Sequence, residues 1–268
     1  MSITKENMRK SPKEWGKILV AVRLEKYIIA QSHRCIVRLV AEGLRPGDRT
    51  AEIEGKLPSH AANHLARLLV DQSDCDSILY IDSDADFAPD TLERLRSLKD
   101  GWDYDIFQPF VTGRRWPPAA VWLMDDKERK FRMKEIRDPA VTEEVAGVGL
   151  HFTLFRREIF EDKRLARPWF RFPEESVETA ESGSEDLTMC LRARELGYSI
   201  GATTKVRVGH FGDVSFGWET FQLFLQDRDN VARITAEKQA AQDKIRHKVP
   251  PKIGAWGFDL IDTNHKKK

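Results

Sequence analysis

Cysteine is scarce in this chain: Cys35, Cys75 and Cys190 are the only three among 268 residues, an odd number without the paired spacing of a zinc site. That argues against a disulfide-built scaffold and a thiolate metal cluster, and it suits a reducing compartment, so a cytoplasmic protein is expected. Long apolar runs are also missing. No stretch approaches the roughly 20 residues that span a bilayer, and residues 1–17 are polar, without the apolar segment of a secretory signal. No membrane span is expected. Neither sign of charge dominates, since 44 Lys and Arg balance 43 Asp and Glu for a net charge of +1; the whole-molecule field requires neither nucleic acid nor a membrane as partner. There is no internal repeat. No glycine-rich loop follows the first apolar run, where Arg23-Leu24-Glu25-Lys26-Tyr27 stands instead.

What is present describes a globular chain. Hydrophobic residues make up 41% and charged residues 32%, enough at this length for one large α/β domain with an extension. Residues 17–22 form a short β-rich run that predicts a buried first strand with Arg23 at its exit. Helical spacing of apolar residues over 28–41, stopped by Gly43 and Pro46-Gly47, predicts a helix. An edge strand is expected over 50–54, then a helix capped by Ser59 through Ala62, Leu65, Leu68, Leu69 and Val70. Asp90 with Glu93 makes a capping-box-like start for a helix to Ser97, so Asp90 reads as structural. Further strands are expected over 104–111, 121–124, 131–133 and 206–210, the last leaving His210 at its end. Residues 168–184 read as a loop, after which Ser182 with Glu185 opens a helix that Gly197 ends. From 218 to 248 the chain reads as a long charged helix.

The most informative segment is Ile78-Leu79-Tyr80-Ile81-Asp82-Ser83-Asp84-Ala85-Asp86-Phe87. Side chains two apart on an extended backbone point the same way. Asp82, Asp84 and Asp86 therefore present oxygens to one volume where a strand should stop, an arrangement that suits Mg²⁺ or Mn²⁺. Asp86 reads equally as a solvated turn residue. Strands alternating with helices imply a mostly parallel sheet covered on both faces, in which ligands bind beyond the carboxyl ends of the strands. Arg23, the Asp82 group and His210 are each predicted at such an end.

The order of these features resembles the GT-A glycosyltransferases, family 2 in particular, over roughly residues 17–216. The resemblance rests on the 17–23 strand, Asn63 in the helix before the acidic strand, and Asp82-Ser83-Asp84 as a DxD motif. It continues through Gly147-Val148-Gly149, Ser184-Glu185-Asp186 opening a helix that closes at Gly197-Tyr198, and Gly209-His210. It implies a Rossmann-like GT-A domain over 1–216 and a helical extension with a basic tail over 217–268. It also implies a nucleotide-sugar donor near Val22, Arg23, Asn63, Asp82, Ser83 and Gly149. A Mn²⁺ or Mg²⁺ ion would be held by Asp84, Asp82 and His210. Asp186 would be the base that deprotonates an acceptor hydroxyl, with Glu185 orienting the acceptor and inversion the expected stereochemistry. Two departures fall near the nucleotide: Arg23 stands where the family frequently has Pro, and Ala62 where many relatives have Arg.

Other readings of the same residues stay open. Acids in a first helical turn interact well with the backbone dipole without catalytic duty. His151 either faces the site or is a buried core histidine, and Trp169 and Phe170 either stack on a sugar or acceptor ring or pack in the core. Gly147-Val148-Gly149 lacks the third glycine and following helix of a dinucleotide fingerprint. A sugar nucleotidyltransferase is the rival enzyme, disfavoured by the missing glycine-rich loop. A nucleic-acid-binding module, or a transferase acting on nucleic acid, would use Arg114-Arg115-Trp116, the basic stretch over 127–134 and the terminal lysines. The acceptor itself, whether glycan, small molecule or nucleic acid, is not specified.

Overall fold

The apolar run at the start becomes β1 (Ile18–Leu24), which lies parallel to both β2 (Arg49–Glu54) and β3 (Ser77–Asp82). Its first five residues are buried, as are the first five of β3, the continuous apolar pattern of strands covered on both faces. This computed structural model describes residues 13–24, 28–113, 123–125, 131–133, 137–172, 184–211 and 215–248. The Arg114-Arg115-Trp116 run, most of the 127–134 stretch, residues 25–27, Ser182 and the terminal lysines lie outside them.

Among the described residues nine strands join one mixed sheet, whose main path runs β11-β10-β5-β9-β3-β1-β2. β9 (Thr153–Arg156) is inserted antiparallel between β3 and β5 (Ile106–Val111), and β10 (Ile200–Phe211) lies parallel to β5. Hence β1, β2, β3, β5 and β10 share one direction, and their carboxyl ends share one edge. β10 also pairs antiparallel with β8 (Thr142–Glu144), β4 (Ala85–Asp86) and β11 (Ser215–Phe216). β6 (Leu123–Asp125) and β7 (Phe131–Met133) form a separate antiparallel pair. β8 was not expected: three polar residues carry no strand pattern of their own, and β10 organises them.

Strand alternation sends Ile18, Val20, Leu79, Ile81 and Leu154 into one core, with Leu92 and Leu95 of α3 (Thr91–Arg96) packed there. Tyr80 points the other way, its hydroxyl donating to the Ala62 carbonyl of α2 (Pro58–Gln72). Helices therefore cover both faces, as expected. α1 (Ala30–Arg38) continues into a π-helical turn, Leu39–Gly43, and at Gly43 a Cβ would collide with the Pro89 carbonyl. α2 begins with Pro58 in its first turn, so Ser59 lies inside the helix and does not cap it. α4 (Arg157–Glu161) follows β9 directly, and α5 (Glu185–Glu195) is followed by Gly197 at φ 93°, the left-handed stop its glycine predicted.

The chain divides into two compact units, Met1–Phe224 and Leu225–Lys268. α6 (Trp218–Lys248) begins in the first, where Trp218 and Phe221 pack on Phe110. The second consists, in its described part, of the remaining turns of that helix. No helix among the described residues is long and apolar enough to cross a membrane.

Candidate metal centre

β3 ends at Asp82, directly across from Arg23 of β1. The chain then turns through Ser83 and Asp84 into β4, whose Ala85 and Asp86 pair with His210 and Gly209 of β10. The Phe211 N–H donates to the Asp84 carbonyl at 2.8 Å. A two-residue strand thus sets Asp84 beside His210, residues far apart in sequence. His151 arrives from the turn before β9, where buried Phe152 has φ 59°. A bulky residue in the left-handed region is held there by its surroundings. Gln108 of β5 supplies part of that hold, its Nε2 lying 2.8 Å from the Gly149 carbonyl and 2.7 Å from Thr153 Oγ1.

These elements bring one ligand atom each from Asp84, His151 and His210 to within 4.8 Å of one another. The two imidazoles stack, ring centroids 3.4 Å apart. His151 Nε2 lies 3.1 Å from the Gly209 carbonyl, and His210 Nδ1 hydrogen-bonds the Thr112 carbonyl. A carbonyl only accepts, so these nitrogens carry protons, and in the neutral rings that bind a metal the lone pairs fall on His151 Nδ1 and His210 Nε2. His151 Nδ1 is buried without a hydrogen bond, with Asp82 Oδ2 and Asp84 Oδ1 each 3.6 Å away. A lone pair facing two carboxylates in a desolvated pocket calls for a cation between them. The donor set therefore fits a divalent metal ion, with His151 in a ligand position that the sequence reading left open between site and core.

The acidic half of the rim is organised by Arg23. Its Nε and Nη2 reach Asp82 Oδ1 at 2.8 and 2.5 Å, and its Nη1 lies 3.7 Å from Glu185 Oε1. Burial opposes ionisation of Asp82, but the Arg23 charge beside it counters that and the carboxyl is held well below the usual range. Asp186, one residue into α5, accepts from the Ser184 hydroxyl and, at 2.8 Å, from the Leu187 N–H. Burial pushes the Asp186 carboxyl up, against the pull of those hydrogen bonds and of Arg23. Glu185 is also raised, by burial and then by the Asp186 charge.

Several expected site residues have other neighbours. Asn63 Nδ2 donates to the Ser59 and Phe170 carbonyls at 2.7 and 2.6 Å, and its Oδ1 accepts from the Trp169 and Phe170 N–H groups. Expected beside the nucleotide, it is a clamp whose amide is fully used by backbone. The clamp holds Trp169 and Phe170 in the core, against Phe160 and Tyr80, so they are not a sugar platform. Val22 is buried within β1 and Ser83 in the turn after β3. The Gly149 carbonyl accepts from Gln108 and Thr153. Asn63→Ala is expected to cost about 2–4 kcal/mol, because it orphans buried backbone donors; urea denaturation measures it, and a loss under about 0.5 kcal/mol would refute the clamp.

No protein-family model and no curated protein sequence matches the chain. Among solved structures it is similar to GalNAc-T7 crystallised with UDP, GalNAc and Mn²⁺, at 10% identity and a TM-score of 0.50, over 73% of this chain and 44% of that one. The chain thus spans less than half the length of that neighbour. It also matches A197 from STIV at 18% identity and a TM-score of 0.49, over 74% of this chain and 86% of that one. The likeness to GalNAc-T7 is one of fold, and the sheet and its flanking helices are GT-A-like.

Proposed function

We propose that this protein is a metal-dependent glycosyltransferase that moves a sugar from a nucleotide-sugar donor to an acceptor hydroxyl with inversion. The observation that carries the reading is the Asp84, His151 and His210 cluster at the carboxyl edge of a GT-A-like sheet. Those three residues would hold the ion. Two imidazoles with one carboxylate suit a first-row divalent cation such as Mn²⁺ better than Mg²⁺, which prefers an all-oxygen set. When bound, the ion supplies positive charge to the diphosphate that departs from the sugar. GalNAc-T7, whose structure holds UDP, GalNAc and Mn²⁺, gives the reading a fold-level parallel.

The chain's own groups divide the remaining work. Asp186 takes the proton from the attacking hydroxyl, and its raised carboxyl is a better acceptor than an ordinary aspartate. Ser184 and the Leu187 N–H fix the orientation of that carboxylate. Glu185 orients the acceptor from the same helix start. Arg23 and Asp82 are the charged groups on the donor side of the rim. Attack opposite the leaving group inverts the anomeric carbon. The nucleotidyltransferase reading finds no glycine in residues 23–27 to wrap a triphosphate.

The test is a panel of nucleotide sugars incubated with the protein and Mn²⁺. Release of nucleoside diphosphate that stops on chelation is the expected result. A protein that binds Mn²⁺ yet neither binds nor turns over any nucleotide sugar would overturn the transferase reading.

A further inference from the structure

Distance from His151 does not separate Asp82 from Asp84: Asp82 Oδ2 and Asp84 Oδ1 stand at the same 3.6 Å from His151 Nδ1, although only Asp84 closes the three-residue cluster with His210. What differs is the other side of Asp82. Arg23, across the β1–β3 pair, directs both Nε and Nη2 at Asp82 Oδ1. Its Nη1 lies 3.7 Å from Glu185 Oε1 without a hydrogen bond, and its side chain is only 13% exposed. A guanidinium does not lose its proton in a protein, so this is a fixed charge. It is also the cation whose field reaches Asp82, Glu185 and Asp186 together.

We infer that Arg23 keeps Asp82 out of the metal's ligand set, so that two neutral imidazoles and one carboxylate hold the ion. The inference rests on the metal reading above. Its consequence is electrostatic. A divalent ion with one carboxylate ligand retains a net positive charge, whereas a second carboxylate would cancel it and weaken the attraction for a diphosphate. Arg23 is therefore a positioning residue acting through Asp82. It limits metal affinity and preserves the charge that the donor meets.

Binding of Mn²⁺ alone, followed by the electron paramagnetic resonance signal of the free ion, tests this without donor or turnover. Asp82→Asn and Asp84→Asn remove the same charge, so the difference between them reports direct ligation. Asp84→Asn is expected to weaken Mn²⁺ at least about tenfold more than Asp82→Asn. Arg23→Met, which releases Asp82 and removes a repelling charge, is expected to bind Mn²⁺ at least about tenfold more tightly than wild type, and Arg23→Lys to stay near wild type. If Arg23→Met does not fold, the matched pair of amide variants decides alone. Equal losses in that pair, or a greater loss for Asp82→Asn, would overturn the role of Arg23. So would a folded Arg23→Met that binds no more tightly. A wild type that binds no Mn²⁺ overturns the metal reading itself, and the inference with it.

Discussion

Asp84→Ala is expected to bind Mn²⁺ at least about 100-fold more weakly than wild type and to lose metal-dependent release of nucleoside diphosphate, while remaining folded. Asp84 is the carboxylate of the three-residue cluster, and its removal leaves two stacked neutral imidazoles as the donors. The fold should tolerate the change because the strand pairing around Asp84 is made by backbone, including the Phe211 N–H on its carbonyl. His151→Ala provides the companion measurement, since it removes the buried nitrogen that makes no hydrogen bond. Titration of each variant with Mn²⁺, beside a thermal melt to establish folding, gives the answer. Wild-type affinity in a folded Asp84→Ala protein would remove the residue from the site.

The second large effect is expected at the start of α5. Asp186→Asn should keep donor affinity within about threefold while lowering transfer by about 10²–10⁴-fold, the usual contribution of a positioned general base. The substitution preserves shape and still accepts from the Leu187 N–H, so loss of the proton acceptor is the main change. The pH profile supplies an independent sign. Burial raises the Asp186 carboxyl, and only its ionised form accepts a proton. Activity should therefore fall as pH drops through that raised value, above the roughly pH 4 of an ordinary aspartate. Measurement of kcat/KM across acid pH in wild type, with donor binding measured separately in the variant, distinguishes this role from helix-start stabilisation. A folded Asp186→Asn enzyme with wild-type transfer would reject it.

The acidic and basic groups of the rim work as one unit, which bears on how both results are interpreted. Arg23 contacts Asp82 beside the Asp84, His151 and His210 cluster and approaches Glu185 beside Asp186. A substitution on either side alters the field on the other, so the effects of Asp82 and Asp186 variants are not expected to add. A double-mutant cycle between Asp82→Asn and Asp186→Asn, read in Mn²⁺ affinity, reports that coupling directly.

Much of the architecture is legible along the chain, because strands buried on both faces write uninterrupted apolar runs. Residues 17–22 and 78–81 mark β1 and β3 in this way, and Gly197 marks the end of α5. Local signals failed where partners decide. Ser59 reads as a cap, yet Pro58 claims the first turn and draws it inside the helix. Trp169 and Phe170 read equally as stacking or core residues, and the Asn63 clamp resolves them as core. That clamp could not be inferred, since Asn63 and Phe170 are 107 positions apart.

By itself, the sequence determined that carboxylates end the third strand and that acids open α5, because alternation and helix-start chemistry act over a few neighbouring residues. Only the tertiary structure decided which groups meet. The pairing of β4 with β10 brings Asp84 to His210, and the strained turn at Phe152 adds His151. Register across β1 and β3 gives Asp82 to Arg23. The reason is physical: ligation and ion pairing depend on distances through space, which are set by long-range strand pairing and carry no local pattern in the chain.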